Sequence, residues 1–147
     1  MTNDLLLLFE RDLEKLIAEL ERFESELALW SVVAGVSNAA GNLALHVIGN
    51  LNHFIGVKLA GSGFQRDRPA EFAARDIPRA DLIAQLTATK TMLSSVLGRL
   101  DMTQLEQIYP EEVLGHAMTT RFFLMHLYGH LNYHLGQVNY LRRVLHG

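Results

Sequence analysis

Between Asp4 and about Leu27, the apolar residues Phe9, Leu13, Leu16, Leu20, Phe23 and Leu27 recur at alternating spacings of four and three. That spacing predicts one helix with a single seam against a core. The positions between are rich in Glu, Arg, Lys and Asp and read as its solvent-facing flanks. Residues 28–37, with Trp30, Gly35 and Ser37, break the pattern and read as a loop. A second helix is expected from about Asn38 to about Ala60, stopped by Gly61-Ser62-Gly63. It carries Gly41, Gly49 and Gly56, each costing about 1 kcal/mol in a helix interior. Glycines there allow a backbone or a ligand to approach closely, which predicts a crowded face.

Gly61 to Ile77 is a polar connection containing Arg66, Asp67, Arg68 and Pro69. It is longer than an ordinary link between helices and is expected to cross the molecule rather than turn back tightly. Pro78 suits a first helical turn, where its missing N–H costs nothing. Leu82, Leu86, Leu93, Val96 or Leu97, and Leu100 mark the seam of a third helix. Asp101 to Gly115 reads as irregular. The last helix is expected from about Met118 to Leu145, and it is apolar almost all round between Phe122 and Leu135. A bundle helix needs only one apolar stripe, so the surplus predicts a homodimer, with burial beneath the long loops as the alternative. No strand-period segment, internal repeat or low-complexity tract interrupts this series. The expectation is an all-α chain: one domain over residues 1–147, a four-helix bundle with a long connection between its second and third helices.

Composition narrows the function classes. Apolar residues make up 49% and charged residues 20%, ordinary proportions for a globular chain. The formal charge of −3 and the lack of a basic stripe argue against a nucleic-acid partner. Arg142-Arg143 is the nearest approach to a basic patch and reads as the complement of a helix C-terminus. There is no cysteine, which removes disulfides, thiolate metal sites and a cysteine nucleophile together. Leu5–Phe9 is apolar but follows Asn3-Asp4 and runs into Glu10-Arg11-Asp12, unlike a signal peptide or a membrane span. No membrane association and a cytoplasmic location are therefore expected.

Seven histidines are the most informative feature. His116 reads as a loop or cap residue and His146 as an exposed terminal one. The last helix contains His126-Leu-Tyr-Gly-His130-Leu-Asn-Tyr-His134. Side chains four apart stack on one helix face, so His130 and His134 can point at a single ion. The plainer reading is a pair of core or interface histidines satisfied by hydrogen bonds. Without cysteine, a transition-metal site must draw on His, Asp and Glu. The middle of the last helix offers no acid, so a third ligand must come from elsewhere. His46, set among apolar residues on the glycine-bearing second helix, is the candidate. Asn42, Asn50 and Gln137 lie one turn from these histidines and are candidates to bond their second nitrogens. His53 faces nearly as His46 does but about 10 Å further along the axis, and His126 is off the His134 face by about 80°. Both are candidates for proton transfer or substrate contact, as is Tyr133.

The segment His130-Leu-Asn-Tyr-His134-Leu-Gly136-Gln137, with its following Arg pair, resembles the signature of the DinB/YfiT-like superfamily. So does Asn42-Leu-Ala-Leu-His46 with Gly49-Asn50-Leu51, and the fuller run from Gly35 to His46 is similar to one uncharacterised subgroup. The resemblance spans essentially the whole chain. It implies a four-helix bundle, frequently dimeric, with three histidine ligands falling on His46, His130 and His134 and often occupied by zinc or nickel. Relatives include metal-dependent transferases acting with low-molecular-weight thiols and a thiol-dependent isomerase. The chain departs from many relatives at Leu131, where they carry an acid.

Three neutral imidazoles leave a fourth position open, the arrangement of a catalytic rather than a structural site. Such a position lowers the pKa of a water or binds a thiol as thiolate, and here the thiol would have to be external. The expected function is a metal-dependent transferase or hydrolase acting on a small molecule. The alternatives are a non-catalytic dimerisation or binding module, and a metal-bound stress or sensing protein without turnover.

Overall fold

The computed structural model describes residues 2–146, and among these it contains helices and no strand. The helices are α1 (Thr2–Glu21), α2 (Glu26–Leu29), α3 (Ala40–Leu51), α4 (Lys58–Ala60), α5 (Arg68–Ala73), α6 (Arg79–Leu97), α7 (Met102–Glu106) and α8 (Thr120–His146). A π-helical stretch, Asn52–Val57, joins α3 to α4 without a break in the rod. The long elements close a ring: α1 packs on α6 and α8, while the α3 rod packs on α6 and α8 from the other side. None of the helices is long and apolar enough to cross a membrane.

The first seam follows its spacing as far as Leu20: Phe9, Leu13, Leu16 and Leu20 are fully buried. The helix then ends at Glu21, six residues earlier than its apolar period predicts. Ser25 is the reason. Its side chain accepts from Ala28 N at 3.1 Å, capping a new turn, α2, whose phase differs from that of α1. Phe23 stays buried, but Leu27 is 75% exposed and Leu29 takes the core position. The expected loop over 28–37 is thus helical to Leu29.

The flanks of α1 are not all solvent-facing. Asp12 and Glu19 are buried against α8. Asp12 accepts from the Tyr128 hydroxyl at 2.6 Å and from Arg11 at 2.8 Å. Glu19 accepts from Asn139 at 2.7 Å and from Arg142 Nε. Arg142 is therefore a buried ion-pair partner rather than a free charge at a helix end, whereas Arg143 is exposed. His146 is also covered: its ring meets Phe23 edge-on and its Nδ1 lies 3.2 Å from Glu24.

The α3 rod begins at Ala40 and stops at Gly61, whose φ of 65° closes it with a left-handed cap. Gly41 lets the Trp30 ring lie against the helix, where a Cβ would stand 2.7 Å from it. The polar connection after Gly61 does contain a helix. Asp67 accepts from Ala70 N at 3.1 Å, Pro69 sits in the first turn, and α5 lies along α3. Pro78 precedes α6 as its cap rather than opening its first turn, and Leu100 falls beyond the end of α6. The stretch read as irregular holds α7, opened by a capping box between Asp101 and Gln104. The Tyr109 hydroxyl donates to Phe54 O at 2.6 Å, tying that stretch to the π-helical turn.

Candidate metal centre

His46 lies midway along α3, and His130 and His134 lie one turn apart on α8. The rods run antiparallel, since Phe54 meets Phe123 at 5.3 Å while His46 meets His130 and His134 at 4.9 and 5.0 Å. The three Nε2 atoms converge. His130 Nε2 is 3.1 Å from His46 Nε2 and 3.1 Å from His134 Nε2, and the set of ligand atoms lies within 4.8 Å. A tetrahedral ion with metal–nitrogen distances of about 2.0–2.1 Å needs nitrogens about 3.3 Å apart. The three residues fit such an ion with small adjustment.

Proton accounting points the same way. His46 Nδ1 lies 3.0 Å from Glu71 Oε1, and His134 Nδ1 lies 2.7 Å from Gln137 Oε1. Both oxygens accept, so each imidazole carries its proton on Nδ1 and turns a lone pair inward from Nε2. His130 has one proton for two facing acceptors. If it sits on Nε2, it serves only one of them; if it sits on the buried Nδ1, which has no partner among the described residues, three lone pairs face one another. A cation at the centre satisfies all three lone pairs at once, and this is the test by which the residues present fit a metal.

Burial holds the His130 and His134 imidazoles neutral. Burial, then the charges of His134, His46, His126 and Arg66, pushes the His130 pKa down to about 3. Burial also lowers His134, partly offset by its bond to Gln137. Burial alone would raise the Glu71 carboxyl, but hydrogen bonds from His46 and Arg66, with the Arg66 charge, outweigh it and hold it below the usual range. Arg66 grips Glu71 through two nitrogens, at 2.9 and 3.0 Å.

Glu71 is the residue the sequence pattern does not reveal. It belongs to α5 and reaches His46 across Gly49, where a Cβ would stand 1.8 Å from its Oε2. The crowded face expected of the glycines is thus real at position 49, and a glycine one turn beyond a candidate ligand is the signal for such a neighbour. The partner expected of Asn42 or Asn50 is this carboxylate instead. Asn42 donates to Glu71 O at 3.0 Å and Ala74 O at 2.9 Å, pinning α5 to α3. Asn50 is buried, and its Oδ1 has no partner among the described residues. Gln137 lies as expected, on His134.

The remaining candidates do not bond to the centre. His53 is half-buried beside Phe54, His126 is exposed and stacked on Phe123 at 5.7 Å, and Tyr133 is exposed with its ring 5.3 Å from that of His134. Among the described residues none of the three hydrogen-bonds to His46, His130 or His134. His116 sits in the exposed turn before α8, as expected of a loop residue. Comparison of the chain with protein-family models, with curated proteins and with solved structures finds no match.

Proposed function

We propose that the chain is a four-helix bundle of the DinB/YfiT-like type that holds one divalent transition metal, zinc or nickel, between α3 and α8. The observation that carries this reading is the convergence of three Nε2 atoms, with Glu71 and Gln137 holding the Nδ1 atoms of His46 and His134. His46, His130 and His134 would hold the ion; Glu71, braced by Arg66, and Gln137 orient two of the rings. Neutral imidazoles are the form that ligates, and burial keeps His130 and His134 in it.

Three ligands and an open position suit catalysis, so the proposed activity is transfer or hydrolysis on a small molecule. Bound there, the ion would act as a Lewis acid towards a substrate oxygen or an external thiol. His53, His126 and Tyr133 stand at the margin as proton-transfer or contact residues. The uncovered stripe of α8, with Phe122, Met125 and Tyr133 all more than half exposed, supports a homodimer.

The test is metal content by mass spectrometry on protein purified without tag or chelator. About one ion per chain is expected, lost in His46→Ala and His130→Ala while circular dichroism stays helical. A metal-free protein that gains nothing on titration with zinc or nickel would leave a helical binding module.

A further inference from the structure

One turn from the histidines, the N-terminal half of α3 and the C-terminal half of α8 part. The loop over residues 33–38 closes the far side, leaving a cleft of about 610 Å³. Val33, Val36, Leu43, Tyr140 and Val144 form its walls, and no charged side chain lines it. That size and chemistry belong to sites for drug-sized molecules. No histidine lines the cleft, but it adjoins the candidate centre through near neighbours of its ligands on both rods. Leu43 precedes His46 by three residues, and Gln137 follows His134 by three, a rise of about 4.5 Å along each helix. Gln137 is shared: its Oε1 receives the His134 proton, while its Nε2 has no partner among the described residues and is left to donate to an occupant.

We infer that this cleft is the substrate-body site of the metal centre. It would take an uncharged aliphatic or aromatic body, with an oxygen-bearing head group directed past Gln137 to the three histidines. The inference rests on the metal reading above and adds the class of molecule that the centre serves. A highly charged substrate is disfavoured, since burying its charge among valines and leucines without a counter-ion is costly.

The experiment uses cobalt(II)-loaded protein and two hydroxamates, acetohydroxamate and octanohydroxamate, read by the visible spectrum of the ion. Both should perturb the spectrum, with the octanoyl compound binding about tenfold tighter or more because its chain is buried. Val36→Asp and Val144→Asp place a charge in opposite walls at positions 41% and 63% exposed, so the fold should survive. Each should keep its metal and its affinity for acetohydroxamate while losing the octanoyl advantage. Equal affinities in the wild type would overturn the cleft and leave the metal reading intact. A chain that takes up no cobalt would overturn both. Dissociation of a dimer by Val144→Asp, without any chain-length effect, would make the cleft a contact between copies and also overturn the inference.

Discussion

His46 Nδ1 and Glu71 Oε1 lie 3.0 Å apart, and both side chains are buried. The carboxylate arrives from a short helix in a polar connection, yet it decides which nitrogen of His46 faces the centre. Glu71→Gln keeps the size and one acceptor but removes the charge that faces the His46 proton and binds Arg66. Metal affinity should fall about 10–100-fold, measured by competition with a chromophoric chelator, while the helical signal is kept. Unchanged affinity would mean that Glu71 serves packing alone.

Gly49 and Gly129 should respond in opposite ways to the same methyl group. At Gly49 it meets the Glu71 carboxylate, so Gly49→Ala should cost about 1–3 kcal/mol and weaken metal binding. At Gly129 it meets nothing within 4 Å in a long helix, so Gly129→Ala should stabilise by about 0.5–1 kcal/mol. Urea titrations of both variants check the pair, and equal effects would contradict the placement of α5.

Asp12 gives the fold a defined acid limit. Burial works to raise its pKa from 3.8, but hydrogen bonds from Arg11, Tyr128 and Asn132 outweigh it and hold the carboxyl at about 2. A folded-state pKa below the unfolded value stabilises above the unfolded pKa and is lost as pH falls through the folded one. About 2 kcal/mol should therefore disappear between roughly pH 4 and pH 2. Asp12→Asn should remove that increment at neutral pH and flatten the stability profile across this window, followed by urea unfolding at several pH values.

For the proposed dimer, Phe122→Asp and Tyr133→Asp place charges on the exposed stripe without touching the core. Sedimentation should show the wild type at twice the monomer mass and the double variant at the monomer mass. A monomeric wild type at micromolar concentration would remove the dimer from consideration.

The legibility of this chain follows the length of its apolar periods. Phe9 to Leu20 and Leu82 to Leu97 announce their helices because several turns must share one buried face. The short α5 and α7 bury Glu71 and Leu105, too little to write a period, so their capping residues Asp67 and Asp101 are the only marks of them. The histidines of α8 stand out by their four-residue spacing on an acid-free stretch, and His46 by its apolar surroundings. Their acid partner does not, because a carboxylate in a polar connection resembles any solvated one until Gly49 shows where it must fit. The π-helical turn over Asn52–Val57 leaves no trace in the apolar pattern at all.

The two rods that meet at the centre are far apart along the chain: His46 and His130 are separated by 84 positions. An ion gripping both is a cross-link, and it closes a loop that contains α4, α5, α6 and α7. Loops of that length lose much entropy when their ends are joined, so such a clasp restrains the unfolded ensemble more strongly than a local one. Without such an ion, the chain would keep its long helices but lack a tie between its α3 and α8 rods in the unfolded ensemble.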